Sequence, residues 1–320
     1  MKAVFLTAYG SPDHLDIREI AKPHPAKGQV LIRVKASTVT LGDCEIRTLT
    51  LPRWTRIPVR MITGWSRPRN FGPGMEIAGV VEEVGEDVTA IKPGDRVFGS
   101  TGMGMRGNSD FVVRPAKAVA IIPPGVSFEE AATVPVGGIN AFHFLSKANI
   151  QPGQKVLVIG AGGSIGTYGI QLAKMYGAEI TAIDHTEKLD MLKEIGAEHV
   201  IDYTREDFAS QSRKYDVVFD MIYSSSFEKC IGVLKDTGVY LMANTDPGRM
   251  IRASLQNKRR VIFQLAAETP GDLAYVANLI KEKKIKPVID RTYKLDQIRE
   301  AHSYVETGAK KGCVIISHGE

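Results

Sequence analysis

Four glycines fall within seven residues near the middle of the chain, in Gly160-Ala161-Gly162-Gly163-Ser164-Ile165-Gly166. Upstream, Val156-Leu157-Val158-Ile159 reads as a buried strand. Downstream, Gln171-Leu172-Ala173-Lys174 reads as helix. Strand, glycine turn and helix together bring backbone N–H groups and the positive end of a helix onto a pyrophosphate. The spacing departs from GxGxxG: counted from Gly160, the third glycine is due at 165, where Ile165 stands, and the closing glycine is Gly166. Asp184 ends the next strand, 18 residues after Gly166. An acid there accepts hydrogen bonds from the ribose hydroxyls of adenosine. The expected cofactor set is therefore Gly160, Gly162, Gly163, Ser164, Ile165, Gly166 and Asp184. The same residues also spell GxSxG, a nucleophile elbow, and Ser164 followed by a later Asp and by His302 keeps the hydrolase order. A hydrolase would leave Asp184 without a role and the β-rich residues ahead of the turn unexplained, so dinucleotide binding is the reading preferred.

The elements that must hold this turn are legible on either side of it. From Lys155 onward strands are expected at 155–159, 179–183, 199–202, 216–221, 238–242 and 260–265, with helices between them at 164–176 and 187–195. Gly177 and Gly196 follow these helices where a glycine closes the last turn. Such alternation predicts a parallel sheet covered on both faces. The first 120 residues read instead as short strands with Gly/Pro turns. Gln29 to Ser37 alternates, Glu76 to Val84 is a second β-rich run, and Lys92-Pro93-Gly94-Asp95 is turn chemistry. Ser127 with Glu129 and Glu130 predicts the capped start of a helix. The tail is expected to hold helices at 272–283 and 295–306 and a strand at 312–317.

Composition narrows the function classes. At roughly 150 residues per domain, 320 residues suggest about two domains. The net charge of +5 is mild and calls for no nucleic acid. Cys44, Cys230 and Cys313 are odd in number and far apart, which excludes a disulfide framework or zinc knuckle. Reduced thiols, no secretory signal and no run near ~20 apolar residues lead to the expectation of a cytoplasmic protein with no membrane partner.

Several stretches in order then carry a family resemblance: Gly79-Val80-Val81-Glu82-Glu83-Val84-Gly85, Lys92-Pro93-Gly94-Asp95-Arg96-Val97, Glu129-Glu130-Ala131-Ala132, the glycine turn with Gln171-Leu172-Ala173-Lys174, and Ile195-Gly196-Ala197 before Val200-Ile201-Asp202-Tyr203. Over essentially its whole length the chain resembles the medium-chain dehydrogenase/reductase superfamily, and within it the zinc-independent quinone oxidoreductase-like branch. The resemblance implies an α/β fold, with a GroES-like β-rich catalytic domain from residues 1–124 and 267–320, a Rossmann domain from 125–266, and the cofactor in the cleft. Zinc-dependent members use Cys, His and Cys; the matching positions here are Thr40, Met75 and Val136, with the neighbouring Glu76 kept. None of the three is a ligand zinc favours, so alcohol oxidation is a poor expectation. The implied reaction is NAD(P)H-dependent hydride transfer to a quinone or to a double bond conjugated to a carbonyl. Two alternatives stay open: a cofactor-binding protein with little turnover, and alcohol dehydrogenase-type activity without zinc.

The same resemblance nominates Thr40, Asp43, Arg47 and Asn140 for the catalytic set. Thr40 can hold a substrate oxygen or be a satisfied loop residue. Asp43 can orient Thr40 or cap the following helix. Arg47 can screen a developing charge or pair with Asp43 at i,i+4. Asn140 follows Gly137-Gly138-Ile139 in a stretch resembling one whose side chain approaches the nicotinamide, and Met75 can pack there or in the core. Glu45 stands where similar quinone oxidoreductases often have Tyr, which leaves the proton donor open. Lys188 and Tyr203 join the cofactor set, and a carboxylate at Asp184 leans the expectation slightly towards NAD(H). Residues 47–70 hold six arginines and no acid, beside Trp54 and Trp65; a solvated loop is the reading preferred, with a lid, a site for an anionic substrate tail and a nucleic-acid contact as alternatives. A homodimer is expected, with Val261-Ile262-Phe263 as a candidate edge strand.

Overall fold

The computed structural model describes every residue except Asn70, Asn244, Thr245, Asn257, Lys258, Leu265 and Glu320, and the side chain of Met103. The chain divides into two compact units. The first comprises Met1–Val136, Glu268–Lys283 and Ile289–Glu320; the second comprises Gly137–Ala267 and Lys284–Val288.

In the second unit the strands line up as His199–Asp202, Glu179–Asp184, Lys155–Ile159, Tyr215–Asp220, Leu234–Met242 and Arg260–Ile262. Every neighbouring pair is parallel. Numbered along the chain this order is the doubly wound Rossmann arrangement, and it reverses between Lys155–Ile159 and Tyr215–Asp220. Val156, Leu157 and Val158 are fully buried, as are Val218 and Phe219. Strands covered on both faces must be apolar throughout, which is why these runs do not alternate. The helix Ser164–Met175 follows the turn, and its Gly169 lets it lie close on the sheet: a Cβ there would sit 2.9 Å from the Phe219 ring. Arg260–Ile262 is the edge strand, shorter than the expected 260–265, whose Leu265 lies outside the described residues.

The first unit is built around the long strand Gln29–Val39. Glu76–Val84 pairs along one side of it, while Phe111–Pro115 and Cys313–Ser317 divide the other between them, all antiparallel. Arg96–Ser100, Ala120–Ile121 and Ile289–Lys294 complete the sheet. Its apolar faces enclose Val30, Ile32, Ile77, Val97 and their neighbours. Between the Gln29–Val39 and Glu76–Val84 strands run two helices, α1 (Leu41–Thr48) and α2 (Arg53–Thr63).

The expected domain boundary at 124/125 shifts to 136/137. The helix Phe128–Ala132, capped by Ser127 with Glu130 in a reciprocal box, packs on the Gln29–Val39 and Glu76–Val84 strands and so belongs with the first unit. Conversely, residues 284–288 leave the tail for the second unit. There the Gln171 amide clamps the backbone of Lys286, donating to its carbonyl at 2.9 Å and accepting from its N–H at 2.7 Å.

Candidate active site

The glycine turn sits at the C-terminal end of Lys155–Ile159, beside the point where the strand order reverses, where ligands of such sheets bind. Gly160 has φ +77°, a conformation L-residues avoid. Gly163 is the N-cap of Ser164–Met175, and no side chain caps that helix. A helix start left without a side-chain cap is one that can receive an anion. Gly166 explains the irregular spacing. A Cβ on it would lie 2.5 Å from both the Gly160 and the Ala161 carbonyl oxygens, so this residue performs the close helix–strand packing asked of a third glycine, one position late. The turn fits a dinucleotide pyrophosphate. Ser164 and Ile165 occupy the first two helical positions.

At the strand end beyond the turn, Asp184 is not a bare carboxylate. Its Oδ2 accepts from the Gly162 N–H at 2.7 Å and its Oδ1 from the His185 N–H at 2.8 Å. Lys188 Nζ lies 3.1 Å from Oδ1, with both side chains 9% exposed. A Cβ on Gly162 would collide with Lys188 Cδ at 2.5 Å, so the lysine stem lies over the turn itself. Tyr203 is 60% exposed, and its ring stands 6.2 Å from that of His185. Asp202 beneath it is held at about 2 by hydrogen bonds from Thr186 and Thr204. Asp184, Lys188, His185 and Tyr203 thus form one polar cluster at the expected adenosine end.

Sequence reading missed Asp220, whose only signal is an acid at a strand end. It is fully buried at the close of Tyr215–Asp220. Its carboxylate pairs with Arg249 Nη2 at 2.9 Å and accepts from Tyr240 Oη at 2.7 Å, from Ser225 Oγ and from the Ile222 N–H at 2.9 Å. The last bond fixes Ile222 against the glycine turn, since a Cβ on Gly160 would meet Ile222 Cδ1 at 2.7 Å. Asn140, half-buried, lies in the helix Ile139–Ala148, directly after a π-helical turn at Val134–Gly138. That helix packs on Ser164–Met175: a Cβ on Gly137 would lie 3.2 Å from Ser164 O.

In the first unit Thr40 and Asp43 close a reciprocal box at the start of α1. Thr40 Oγ1 accepts from the Asp43 N–H at 3.1 Å and donates to Asp43 Oδ2 at 2.6 Å; Oδ2 also accepts from the Thr40 N–H at 2.8 Å. Asp43 Oδ1 accepts from the Gly74 N–H at 2.8 Å. Burial raises the Asp43 carboxyl above its ordinary value, and these bonds oppose the rise. Met75 Sδ lies 3.5 Å from Thr40 Oγ1. Glu76, 1% exposed, accepts from Thr38 Oγ1 at 2.5 Å and from the Val136 N–H at 2.6 Å. Glu45, half-buried on α1, has its carboxyl raised by burial.

Arg47 points elsewhere. It is 1% exposed, its Nη2 is 2.6 Å from Glu306, and its Nη1 donates to the Gly10 carbonyl. The ion pair is thus with Glu306, not with Asp43 one turn back. Its Nε donates to His302 Nδ1 at 3.4 Å, and Cys44 Sγ is 3.5 Å from that nitrogen. Burial, with Arg47 adjacent, holds the His302 imidazole at about 3, while burial and the Asp43 charge push the Cys44 thiol up to about 12. An activated Cys–His pair needs the thiol lowered, so this contact is a structural one. It also removes the hydrolase reading, because His302 is spent on Arg47 and Cys44.

Two family models match the chain, one described as alcohol dehydrogenase GroES-like domain over residues 26–143 and one as zinc-binding dehydrogenase over residues 195–316. The chain belongs to the medium-chain dehydrogenase/reductase superfamily, in its quinone oxidoreductase-like branch, and is an oxidoreductase. It is 33% identical to 2-methylene-furan-3-one reductase of Solanum lycopersicum, over 99% of this chain and 79% of that protein. It is 30% identical to the chloroplastic NADPH-dependent alkenal/one oxidoreductase of Arabidopsis thaliana, over the same shares. Among solved structures, the quinone oxidoreductase from Coxiella burnetii superposes with a TM-score of 0.90 at 28% identity, over 99% of each chain. Among the described residues no helix is long and apolar enough to cross a membrane, and no three His, Cys, Asp or Glu side chains are grouped to hold a metal ion.

Proposed function

We propose that the protein is a zinc-independent, NAD(P)H-dependent reductase of quinones or of double bonds conjugated to a carbonyl. The observation that carries this reading is the uncapped glycine turn at the strand-order reversal, with Gly166 packed onto the Gly160 and Ala161 carbonyls. The names of the relatives supply the substrate class. When bound, the reduced nicotinamide supplies the hydride. Gly160, Gly162 and Gly163 let the pyrophosphate approach the backbone closely, and the helix end at Ser164, Ile165 and Gly166 receives it. Ile222, fixed by Asp220, limits the space above Gly160. In the first unit Thr40 is the candidate group for the acceptor carbonyl, and in the second unit Asn140 is the candidate group for the nicotinamide. The Thr40 proton is directed at Asp43, so Thr40 donates to a carbonyl only once that bond is exchanged for one to substrate. An acceptor that is already electrophilic needs orientation and a proton more than a Lewis acid.

The slight lean towards NAD(H) rested on a free carboxylate at Asp184. Lys188 neutralises that carboxylate at 3.1 Å, so the repulsion of a 2′-phosphate falls away. We therefore read Lys188 and Tyr203 as the groups that meet a 2′-phosphate, with NADPH accepted.

The test is oxidation of NADPH and of NADH with a simple quinone and with an α,β-unsaturated ketone, in buffer containing a chelator. Turnover that survives chelation, with NADPH at least as good as NADH, is the expected result. Activity on neither acceptor with tight cofactor binding would replace the enzyme by a cofactor-binding protein. Activity lost with the chelator and restored by zinc would overturn the zinc-free chemistry.

A further inference from the structure

The helix α2 turns its apolar side to solvent. In a globular chain the apolar arc of a surface helix faces the core. Here the side facing the protein body carries Thr55, Val59 and Thr63, four residues apart, and Thr63 is 2% exposed with its hydroxyl against Tyr9 Oη at 2.6 Å. At roughly 100° per residue, Trp54, Ile57, Pro58, Met61 and Ile62 occupy a separate arc of about 140°. Trp54 is 48%, Ile57 57%, Met61 76% and Ile62 47% exposed, and Trp65 just beyond is 57% exposed. The third arc holds Arg53, Arg56 and Arg60.

Charge points the same way. Of the chain's 41 basic and 36 acidic residues, six of the basic and none of the acidic lie between Ile46 and Met75. The rest of the chain holds 35 against 36, so the net positive charge is concentrated in this one segment. Past the helix, Arg67 and Arg69 join Arg18 in lining a recess of 390 Å³. A helix with arginines on one face, Trp and aliphatic side chains on the next, and little overall hydrophobicity suits the interface plane of a bilayer. Each arginine adds attraction to anionic lipid headgroups.

We propose that α2 docks the protein on the surface of an anionic phospholipid bilayer, with Trp54, Ile57 and Met61 entering the headgroup boundary and Arg53, Arg56 and Arg60 meeting lipid phosphates. Docking on a surface needs no spanning helix, and it replaces the expectation of no membrane partner. It does not rest on the proposed reaction.

The chain has two tryptophans, and both lie in this segment. Intrinsic fluorescence therefore reports the docking face. The full chain is titrated with vesicles of phosphatidylcholine plus phosphatidylglycerol and, separately, of phosphatidylcholine alone. The expected result is a blue shift and co-sedimentation with the anionic vesicles only, reversed by salt. The triple variant R53Q/R56Q/R60Q should bind about a hundredfold more weakly, at about fivefold per arginine. The variant I57S/M61S should lose the blue shift. Both change exposed side chains, and unaltered circular dichroism and thermal unfolding serve as the folding control. No binding to anionic vesicles, or equal binding to neutral ones, overturns the proposal. A blue shift on adding an enone without lipid would make the face a substrate lid. A shift that follows protein concentration would make it a contact between copies of this chain.

Discussion

Replacing Lys188 by Met keeps the length of the stem over the glycine turn and deletes its charge. The wild-type ammonium lies 3.1 Å from Asp184 Oδ1, with both side chains 9% exposed. Asp184 keeps the Gly162 and His185 N–H donors in the variant, so it remains a hydrogen-bonded carboxylate and the turn should hold its shape. What changes is charge. A 2′-phosphate loses one charge-assisted hydrogen bond, about 1.5–3 kcal/mol, and faces a carboxylate no longer neutralised. At about 4 Å and an effective dielectric near 20, unit charges interact by about 4 kcal/mol, which solvent at this surface-linked site reduces. At a tenfold change per ~1.4 kcal/mol, kcat/KM for NADPH should fall by about 10- to 100-fold. NADH has no 2′-phosphate and should change by less than about threefold, within ~0.6 kcal/mol. The assay is steady-state oxidation of each cofactor at one fixed enone concentration, read as the ratio of the two kcat/KM values. D184N, which leaves Lys188 unpaired, should move that ratio the opposite way. An unchanged ratio in K188M, or an equal loss for both cofactors, would show that the ion pair only braces the turn.

Three further outcomes follow from packing and titration. G166A brings a methyl to 2.5 Å from two carbonyl oxygens and should cost about 1–3 kcal/mol, with weaker cofactor binding; thermal unfolding at wild-type temperature would show that the helix does not sit so close. D43A strands the Thr40 and Gly74 N–H groups and the Thr40 hydroxyl, and should destabilise by about 3 kcal/mol or more, with D43N recovering part; lost turnover at unchanged stability would instead make Asp43 a substrate group. His302 is held at about 3 against an ordinary 6.5. Its neutral form therefore contributes stability that is present above pH 6.5 and lost as pH falls towards 3. His318, buried and held at about 4, adds in the same direction. Denaturant unfolding followed across this window should lose up to about 1.4 kcal/mol per pH unit for each such histidine. H302Q should remove its share, and an unaltered slope would mean that the imidazole titrates normally.

Much of the fold is carried by local signals that survive without tertiary context. The run at 155–159 ends where the apolar pattern ends, because a strand covered on both faces favours apolar residues throughout. Where local signals are absent, the reading fails. The helix α2 has no side-chain cap, no acid in its first turn and Pro58 inside it, so nothing in its sequence marks it off from loop. The strand Leu234–Met242 begins four residues before the expected 238, because its exposed start Lys235-Asp236-Thr237 is polar and its pairing with Tyr215–Asp220 shifts register there. Gly166 was legible as a glycine but not as the packing glycine, since the distance that matters runs back to Gly160 and Ala161 carbonyls.

The site residues fail for a different reason: the same types at the same spacing serve two ends. Thr-x-x-Asp at positions 40–43 is equally a capping box and a substrate-binding pair. Only the hydrogen-bond directions separate them, and Asp43 accepts two donors from Thr40 and a third from the backbone of Gly74. Asp184 and Lys188 likewise read as separate members of the cofactor set until the 3.1 Å contact makes them one neutral unit. Arg47 reads as a charge available to substrate until Glu306, 259 residues later in the chain, claims it at 2.6 Å. For Asp43 and Arg47 the deciding partners include backbone groups and a residue remote in sequence, neither of which has a residue-type signal; for Asp184 the partner is close in sequence and only the distance decides. Saturation of hydrogen bonds, rather than residue type, is therefore the sharper filter for a catalytic assignment in this chain.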